Sequence, residues 1–141
     1  MNNSIYLGGG CFWCIESVYK KVNGIISISP GYMGGDTHNP TYEEVCEGYT
    51  NHVEVVKLDY NEIITLDQIL NIFFTVHDPT SINRQGADVG TQYRSAIFCK
   101  QDERSFIVNF IQELESQNVF SDKIVTEVNL SLIHISEPTR R

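Results

Sequence analysis

Gly8-Gly9-Gly10-Cys11-Phe12-Trp13-Cys14 marks the point where a strand-like stretch gives way to a helical one. Residues 5 to 7 alternate like a short strand. Phe12, Ile15 and Tyr19 then recur at the spacing of one helix face. Glycines at the end of a strand let another group approach the backbone closely. The segment therefore predicts a strand–turn–helix unit that carries two cysteines one helical turn apart.

Cys11 is the expected nucleophile because it stands at the predicted helix start. The positive end of a helix favours the thiolate and can lower the pKa of a cysteine well below its usual value. Cys14 is placed to resolve an oxidised Cys11 as a disulfide. On spacing alone, the pair also fits thioredoxin-like exchange or half of a zinc site. Cys46 and Cys99 are expected to be small apolar residues in structured segments, which makes zinc a weak option.

The two aromatic residues beside Cys11 fall on different helix faces. Phe12 lies on the apolar stripe, which predicts a core position. Trp13 lies off that stripe, close to Glu16 and Lys20. The pattern fits equally a functional indole beside the thiol and an indole that packs under a loop.

Strand-like and helix-like segments alternate along the rest of the chain. Strands are predicted at 25–29, 52–60, 94–99 and 124–128, and helices at 42–47, 66–74 and 107–114. Pro30-Gly31 is expected to stop the second strand, and Thr65 to cap a helix. This order predicts an α+β fold, a two-layer ferredoxin-like sandwich with a mixed sheet. The long polar loops at 31–51 and 79–93 are typical places for a functional site.

The length, charge and composition of the chain exclude several classes of protein. A chain of 141 residues can form one domain with a real core. Its net charge of -8 argues against a nucleic-acid binder and against a basic helix on a membrane surface. The first four residues carry no basic charge, and no apolar run is long enough to span a bilayer. We expect a cytoplasmic monomer without a bound metal or cofactor.

Several longer motifs give the chain a resemblance to a known family. Gly9-Gly10-Cys11-Phe12-Trp13 is similar to the signature of A-type peptide methionine sulfoxide reductases. Further similar stretches follow in the family order: Gly31-Tyr32, Asn39–Cys46, His52–Val56, His77-Asp78-Pro79 and Arg84–Ser95. The resemblance implies reduction of the S epimer of methionine sulfoxide, free or in proteins, with thioredoxin or another dithiol as the reductant. It covers a catalytic domain of residues 1–128.

The resemblance also implies roles for individual residues. They are a nucleophile at Cys11, an aromatic wall for the methyl group at Phe12 and Trp13, a proton donor at Glu54, and contacts to the sulfoxide oxygen or the substrate backbone from Tyr42, Asp88 and Tyr93. On pattern alone, the tyrosines also fit ordinary loop packing, and Asp88 fits a turn residue. His38, His52 and His77 show no metal-ligand spacing and are expected to be satisfied polar residues.

The chemistry explains why an acid is needed. A thiolate that attacks a sulfoxide sulfur needs the oxygen protonated, because oxide is a poor leaving group. A carboxyl group among apolar side chains can hold a proton at neutral pH. Glu54 alternates onto the same strand face as Val56, Leu58 and Tyr60, where an unpaired carboxylate is costly. The pattern alone fits equally a Glu at a frayed strand start that reaches solvent.

Residues 129–141 depart from the family pattern. They lack the aromatic and His-Gln stretch that the family predicts, and they contain no cysteine. We expect an atypical tail that is foreign to the family, with a natural divergent terminus as the alternative. Two other functions stay open: a general thiol–disulfide oxidoreductase that uses Cys11 and Cys14 without Glu54, and an inactive fragment, with metal binding through cysteines as one option.

Overall fold

The computed structural model describes residues 3–10, 12–33, 53–85, 88–90, 93–120 and 122–130. Within this part of the chain, strands and helices follow the order β1 (Asn3–Gly8), α1 (Phe12–Tyr19), β2 (Ile25–Met33), β3 (Val53–Tyr60), α2 (Leu66–Val76), β4 (Arg84–Gln85), β5 (Asp88–Val89), β6 (Ala96–Cys99), α3 (Gln101–Ser116) and β7 (Glu127–Leu130). The predicted helix at 42–47 lies outside the described residues.

Five of the strands form one mixed sheet in the order β2-β3-β1-β6-β7. The pairs β2–β3, β3–β1 and β1–β6 are antiparallel, whereas β6 and β7 run parallel. The short strands β4 and β5 pair only with each other. Strands β1, β3 and β6 are therefore interior to the sheet, and the first four residues of β3 and all four of β6 are buried.

The main core lies between one face of this sheet and the helices. Ile5 stands opposite Leu58, and Leu7 stands opposite Val56, so these four side chains share a face. All four belong to one buried cluster, to which α1, α2 and α3 contribute buried side chains. The arrangement confirms the predicted α+β fold with helices on a mixed sheet.

Helix α2 shows how closely local sequence chemistry sets an element boundary. The Thr65 hydroxyl accepts a hydrogen bond from the backbone N–H of Gln68, and the Gln68 side chain accepts one from the backbone N–H of Thr65. This reciprocal capping box satisfies two backbone donors that a helix start would leave unpaired. The predicted cap at Thr65 is confirmed.

Two strand boundaries differ from the prediction by three residues or more. β2 continues through Pro30 and Gly31 to Met33 instead of ending at Pro30. Proline lacks an N–H, but β2 lies at the edge of the described sheet, where proline is tolerated because a strand pairs on one side only. The last strand begins at Glu127 rather than at Ile124, which is buried in the core without being part of a strand.

Candidate functional site

The end of β1, just before the turn of Gly9-Gly10 (the glycine turn) that leads into α1, lies directly on the strand that carries Glu54. A Cβ atom added to Gly8 would lie 2.8 Å from the Glu54 carbonyl oxygen, closer than real Cβ atoms come. Only glycine permits this approach. Gly10 has a φ of 98°, a conformation that a residue with a side chain rarely adopts. The glycines therefore bring the chain that enters α1 against the backbone of β3.

Helix α1 begins at Phe12 with its exposed face towards solvent and its apolar face in the core. Ile15 and Tyr19 are buried, whereas Trp13 is 40% exposed and Cys14 is exposed. The indole of Trp13 thus lies off the core stripe, as its helical spacing indicates. Cys11 and the side chain of Phe12 lie outside the described part, so their predicted roles stay predictions.

Glu54 is a buried carboxyl group on the strand that contacts the end of β1. Its residue is only 3% exposed and stands between Val53 and Val55, which are completely buried. Its strand position places it on the face of Val56 and Leu58, the face that the helices cover. The burial excludes the frayed, solvated glutamate that the pattern left open. A carboxyl group in this position has the surroundings that a proton donor needs.

Two of the remaining predicted substrate contacts, Asp88 and Tyr93, belong to the second loop. Tyr93 is half-buried, and its backbone N–H donates a hydrogen bond of 3.1 Å to the carbonyl of Gly90. Asp88 pairs with Gln85 in the β4–β5 hairpin, but its side chain is not among those described. Tyr42 lies outside the described residues. The structure therefore describes the backbone pairing of Asp88 and a backbone hydrogen bond of Tyr93. Their roles in substrate binding stay predictions.

His77 lies against the glycine turn, although the sequence did not predict it as a site residue. Its ring is buried, with Nδ1 2.6 Å from the Phe73 carbonyl and Nε2 2.7 Å from the Ser95 hydroxyl. These partners confirm the expectation of a satisfied polar histidine, whereas His38 and His52 lie outside the described residues. The ring also contacts the glycine turn, because a Cβ on Gly9 would lie 2.7 Å from Cδ2 of His77. In the sequence, His77 follows Phe73 by four residues, a spacing at which two side chains meet on a helix. This spacing was the only signal available in the sequence for the position of its ring.

Gln85 covers the next glycine of the same turn. A Cβ on Gly10 would lie 2.9 Å from Cβ of Gln85. The Gln85 amide accepts a hydrogen bond of 2.9 Å from the backbone N–H of Asp78 and donates one of 2.5 Å to the Asp78 carbonyl. The segment 77–85 therefore contacts the glycine turn at two points.

The described cysteines differ in chemistry. Cys99 is buried in the core, as predicted, and burial raises the pKa of its thiol to about 11. It is therefore protonated and unreactive at neutral pH. Cys14 is exposed at the start of α1 and is accessible to a reductant. Cys46 lies outside the described residues.

Among the described residues, no three or more His, Cys, Asp or Glu side chains are grouped so that they could hold a metal ion. None of the helices described has both the length and the apolar character needed to cross a bilayer.

Comparisons with known proteins bear on nearly the whole chain. The model of the peptide methionine sulfoxide reductase family matches residues 3–134. Peptide methionine sulfoxide reductase MsrA of Trichodesmium erythraeum is 51% identical over 130 residues, which cover 91% of this chain and 73% of that protein. The protein of the same name from Saccharolobus solfataricus is 52% identical over 124 residues, or 86% of this chain and 69% of that protein.

Solved structures agree with the sequence relatives. Mxr1 from Saccharomyces cerevisiae in reduced form matches with a TM-score of 0.90 at 32% identity and covers 99% of this chain and 81% of its own. Methionine sulfoxide reductase A of Corynebacterium diphtheriae matches with a TM-score of 0.82 at 34% identity, over 97% of this chain and 70% of its own. The chain therefore belongs to the peptide methionine sulfoxide reductase family, whose reaction is the thiol-dependent reduction of methionine sulfoxide.

Proposed function

We propose that this chain repairs oxidised methionine by reducing its S-sulfoxide, free or in proteins, with Cys11 as the nucleophile and Glu54 as the proton donor. The observation that supports the proposal is the contact between Gly8 and the backbone of Glu54. It joins the segment that leads into Cys11 to a strand whose carboxyl side chain is buried at 3% exposure. This contact supports a site in which a proton donor and a nucleophile come from separate elements.

The proposed first half-reaction transfers oxygen from substrate to enzyme. The Cys11 thiolate donates an electron pair to the sulfoxide sulfur while Glu54 protonates the oxygen. The sulfur–oxygen bond of the substrate and the transient bond between the two sulfurs then break as the hydroxyl passes to the Cys11 sulfur, so that methionine leaves and Cys11 becomes a sulfenic acid. The substrate sulfur is reduced by two electrons and the Cys11 sulfur is oxidised by two.

The proposed second half-reaction regenerates the thiol. Cys14 attacks the sulfenic sulfur of Cys11, a disulfide forms, and the hydroxyl leaves as water with one proton. A dithiol then reduces the disulfide by exchange and is itself oxidised. Thioredoxin is the proposed physiological dithiol, and the exposure of Cys14 supports access for such a partner. Because the cycle returns both cysteines to thiols, we propose action in the reducing cytoplasm.

The proposed substrate pocket uses side chains around the same turn. Trp13 presents an exposed indole at the start of α1, and an aromatic surface suits a methyl group by burial worth about 1 kcal/mol. Phe12 completes this wall in the proposal. Tyr42 and Tyr93 hold the oxygen through phenol hydroxyls, and Asp88 orients the substrate amide.

The test is a dithiol-driven assay with the two separated epimers of methionine sulfoxide. We expect turnover of the S form alone, loss of turnover in Cys11→Ser, and a fall of about 100-fold in kcat for Glu54→Gln, because amide cannot donate the proton. Glu62→Gln is the matched control, since Glu62 is an exposed carboxyl just beyond β3. Equal turnover of both epimers, or an unchanged Glu54→Gln variant, would contradict the proposal.

A further inference from the structure

The imidazole of His77 forms part of the surface on which Gly9 lies, two residues before Cys11. A Cβ built on Gly9 would come within 2.7 Å of Cδ2, 2.8 Å of Cγ and 3.2 Å of Nε2 of this ring. Gly9 is buried as well. The backbone of the turn and the edge of the ring are therefore in direct contact, and a shift of one requires a shift of the other.

Hydrogen bonds on both ring nitrogens fix the ring orientation. Nδ1 lies 2.6 Å from the Phe73 carbonyl, which can only accept, so Nδ1 carries the proton. Burial lowers the pKa of His77 to about 4, so the ring is neutral at pH 7. Nε2 is then an acceptor and receives the Ser95 hydroxyl proton over 2.7 Å. One tautomer is thus selected.

The chain of hydrogen bonds continues to the edge of the sheet. The Ser95 hydroxyl lies 2.7 Å from the Thr126 hydroxyl. Because Ser95 donates its only proton to His77, Thr126 is the donor in this pair. The Phe73 ring also lies against the imidazole, with 4.0 Å between centroids. The end of α2, the start of β6 and the residue before β7 all hold the ring in place.

We propose that His77 is a positioning residue for the nucleophile: its fixed imidazole supports Gly9 and thereby sets where Cys11 stands relative to Glu54. The proposal rests on the proposed role of Cys11. A displacement of about 1 Å between reacting groups can slow a reaction about 100-fold. A small tilt of the ring therefore affects the reaction rate more than it affects substrate binding.

The first test compares two variants, each of which removes one side-chain hydroxyl from the hydrogen-bond chain. Ser95→Ala removes the donor to Nε2 and releases the ring, whereas Thr126→Val leaves the Ser95–His77 bond intact. The readout is methionine formed in one turnover without any dithiol, at several sulfoxide concentrations. We expect Ser95→Ala to slow the bond-breaking step about tenfold with substrate affinity changed less than about twofold. Thr126→Val is expected to stay within about twofold of wild type.

The second test is a double-mutant cycle on the contact itself. Gly9→Ala forces a methyl group against the ring, and His77→Asn keeps a donor for the Phe73 carbonyl while removing the ring edge. We expect each single variant to slow the turnover. The double variant is expected to be at least about threefold faster than the product of the two single effects predicts, because the clash is gone. A purely structural role for His77 predicts no such coupling in the rate.

The outcomes separate this inference from the proposed function. A wild-type protein that forms no methionine in a single turnover contradicts the proposed function itself. A normal wild-type turnover with equal rates in Ser95→Ala and Thr126→Val overturns only the positioning role. If Ser95→Ala does not fold, the cycle decides alone, and additive effects in it overturn the inference.

Discussion

Cys14 and Cys99 show how burial assigns different chemistry to the same side chain. Cys99 is enclosed by the core and its thiol has a pKa raised to about 11 by burial, so it cannot attack an oxidised sulfur at neutral pH. Cys14 is exposed one helical turn from the proposed nucleophile. We therefore infer that Cys14, rather than Cys99, resolves the sulfenic acid.

One turnover without a dithiol is expected to join Cys11 and Cys14. Peptide mass spectrometry should find the pair lighter by two hydrogen atoms. Cys14→Ser should leave Cys11 as a sulfenic acid that a dimedone probe labels, while Cys99→Ser should still form the disulfide. A stable sulfenic acid in the wild-type protein, with Cys14 still a thiol, would remove Cys14 from the cycle.

His77 makes the stability of the fold depend on pH. Burial lowers its pKa from 6.5 to about 4, so the unfolded chain binds this proton more readily than the folded chain. The contribution is fully present above pH 6.5 and is lost as the pH falls from 6.5 towards 4. Between pH 7.5 and 5, linkage gives a loss of about 2 kcal/mol from this residue.

Urea unfolding at pH 7.5 and at pH 5 measures this loss. The free energy of unfolding of His77→Asn should fall less between the two pH values than that of wild type, because the substituted residue does not titrate. The difference between the two proteins isolates His77 from carboxylates that titrate below this range. Equal losses in both proteins would show that His77 is not kept neutral by the fold.

At the scale of elements, the contact of Gly8, at the end of β1, with β3 is expected to matter more for activity than for stability. Gly8→Ala places a Cβ 2.8 Å from the Glu54 carbonyl oxygen, which belongs to a central strand and cannot move aside easily. Such overpacking costs about 1 to 3 kcal/mol. Thr65→Ala removes the α2 cap at a comparable cost of about 1 kcal/mol, away from the glycine turn.

Thermal unfolding and single-turnover rates of the two variants make the comparison. Both are expected to unfold at lower temperature than wild type. Only Gly8→Ala should react slowly per folded molecule, by about tenfold or more, because it separates the turn from Glu54. A Gly8→Ala protein that reacts at the wild-type rate would show that this contact does not set the geometry of the site.

The sequence predicted elements best where a local interaction defines them. Thr65 and Gln68 lie three residues apart and form their cap without help from the rest of the fold. The passage of β2 through Pro30 depends on β2 being an edge strand, which is a property of the whole sheet. Periodicity within one segment contains no information on strand order, so that boundary was predicted wrongly.

In the candidate site, too, local patterns predicted some features, and others depend on how distant segments pack together. Alternation placed Glu54 on the apolar face of β3 but left its burial open, and its nearness to the end of β1 depends on the pairing of β1 with β3. Family resemblance supplied that link, since spacing along the chain could not. The contact of His77 with Gly9 joins residues 68 positions apart along the sequence. It depends on the packing of α2 against the sheet, which no local pattern encodes.

At the scale of the whole molecule, β7 pairs in parallel with β6 and is the last strand of the described sheet, next to the Ser95–Thr126 pair. Ala96 stands opposite Glu127, and Cys99 stands opposite Leu130. Arg94 adds a 2.9 Å ion pair with Glu127. Strand β7 therefore includes residues 129 and 130, and the family model matches as far as residue 134. The proposed boundary of a foreign tail at residue 129 stays a prediction.

Two shortened chains test where the functional domain ends. A chain that stops after Leu130 keeps every β6–β7 pair and is expected to retain the melting temperature and single-turnover rate of the full chain. A chain that stops after Thr126 loses β7 and the Arg94 ion pair, and exposes the edge of β6. We expect it to unfold at a much lower temperature than the full chain. If removal of residues 131–141 alone abolished methionine formation while the fold persisted, those residues would have to be part of the reactive site rather than a foreign tail.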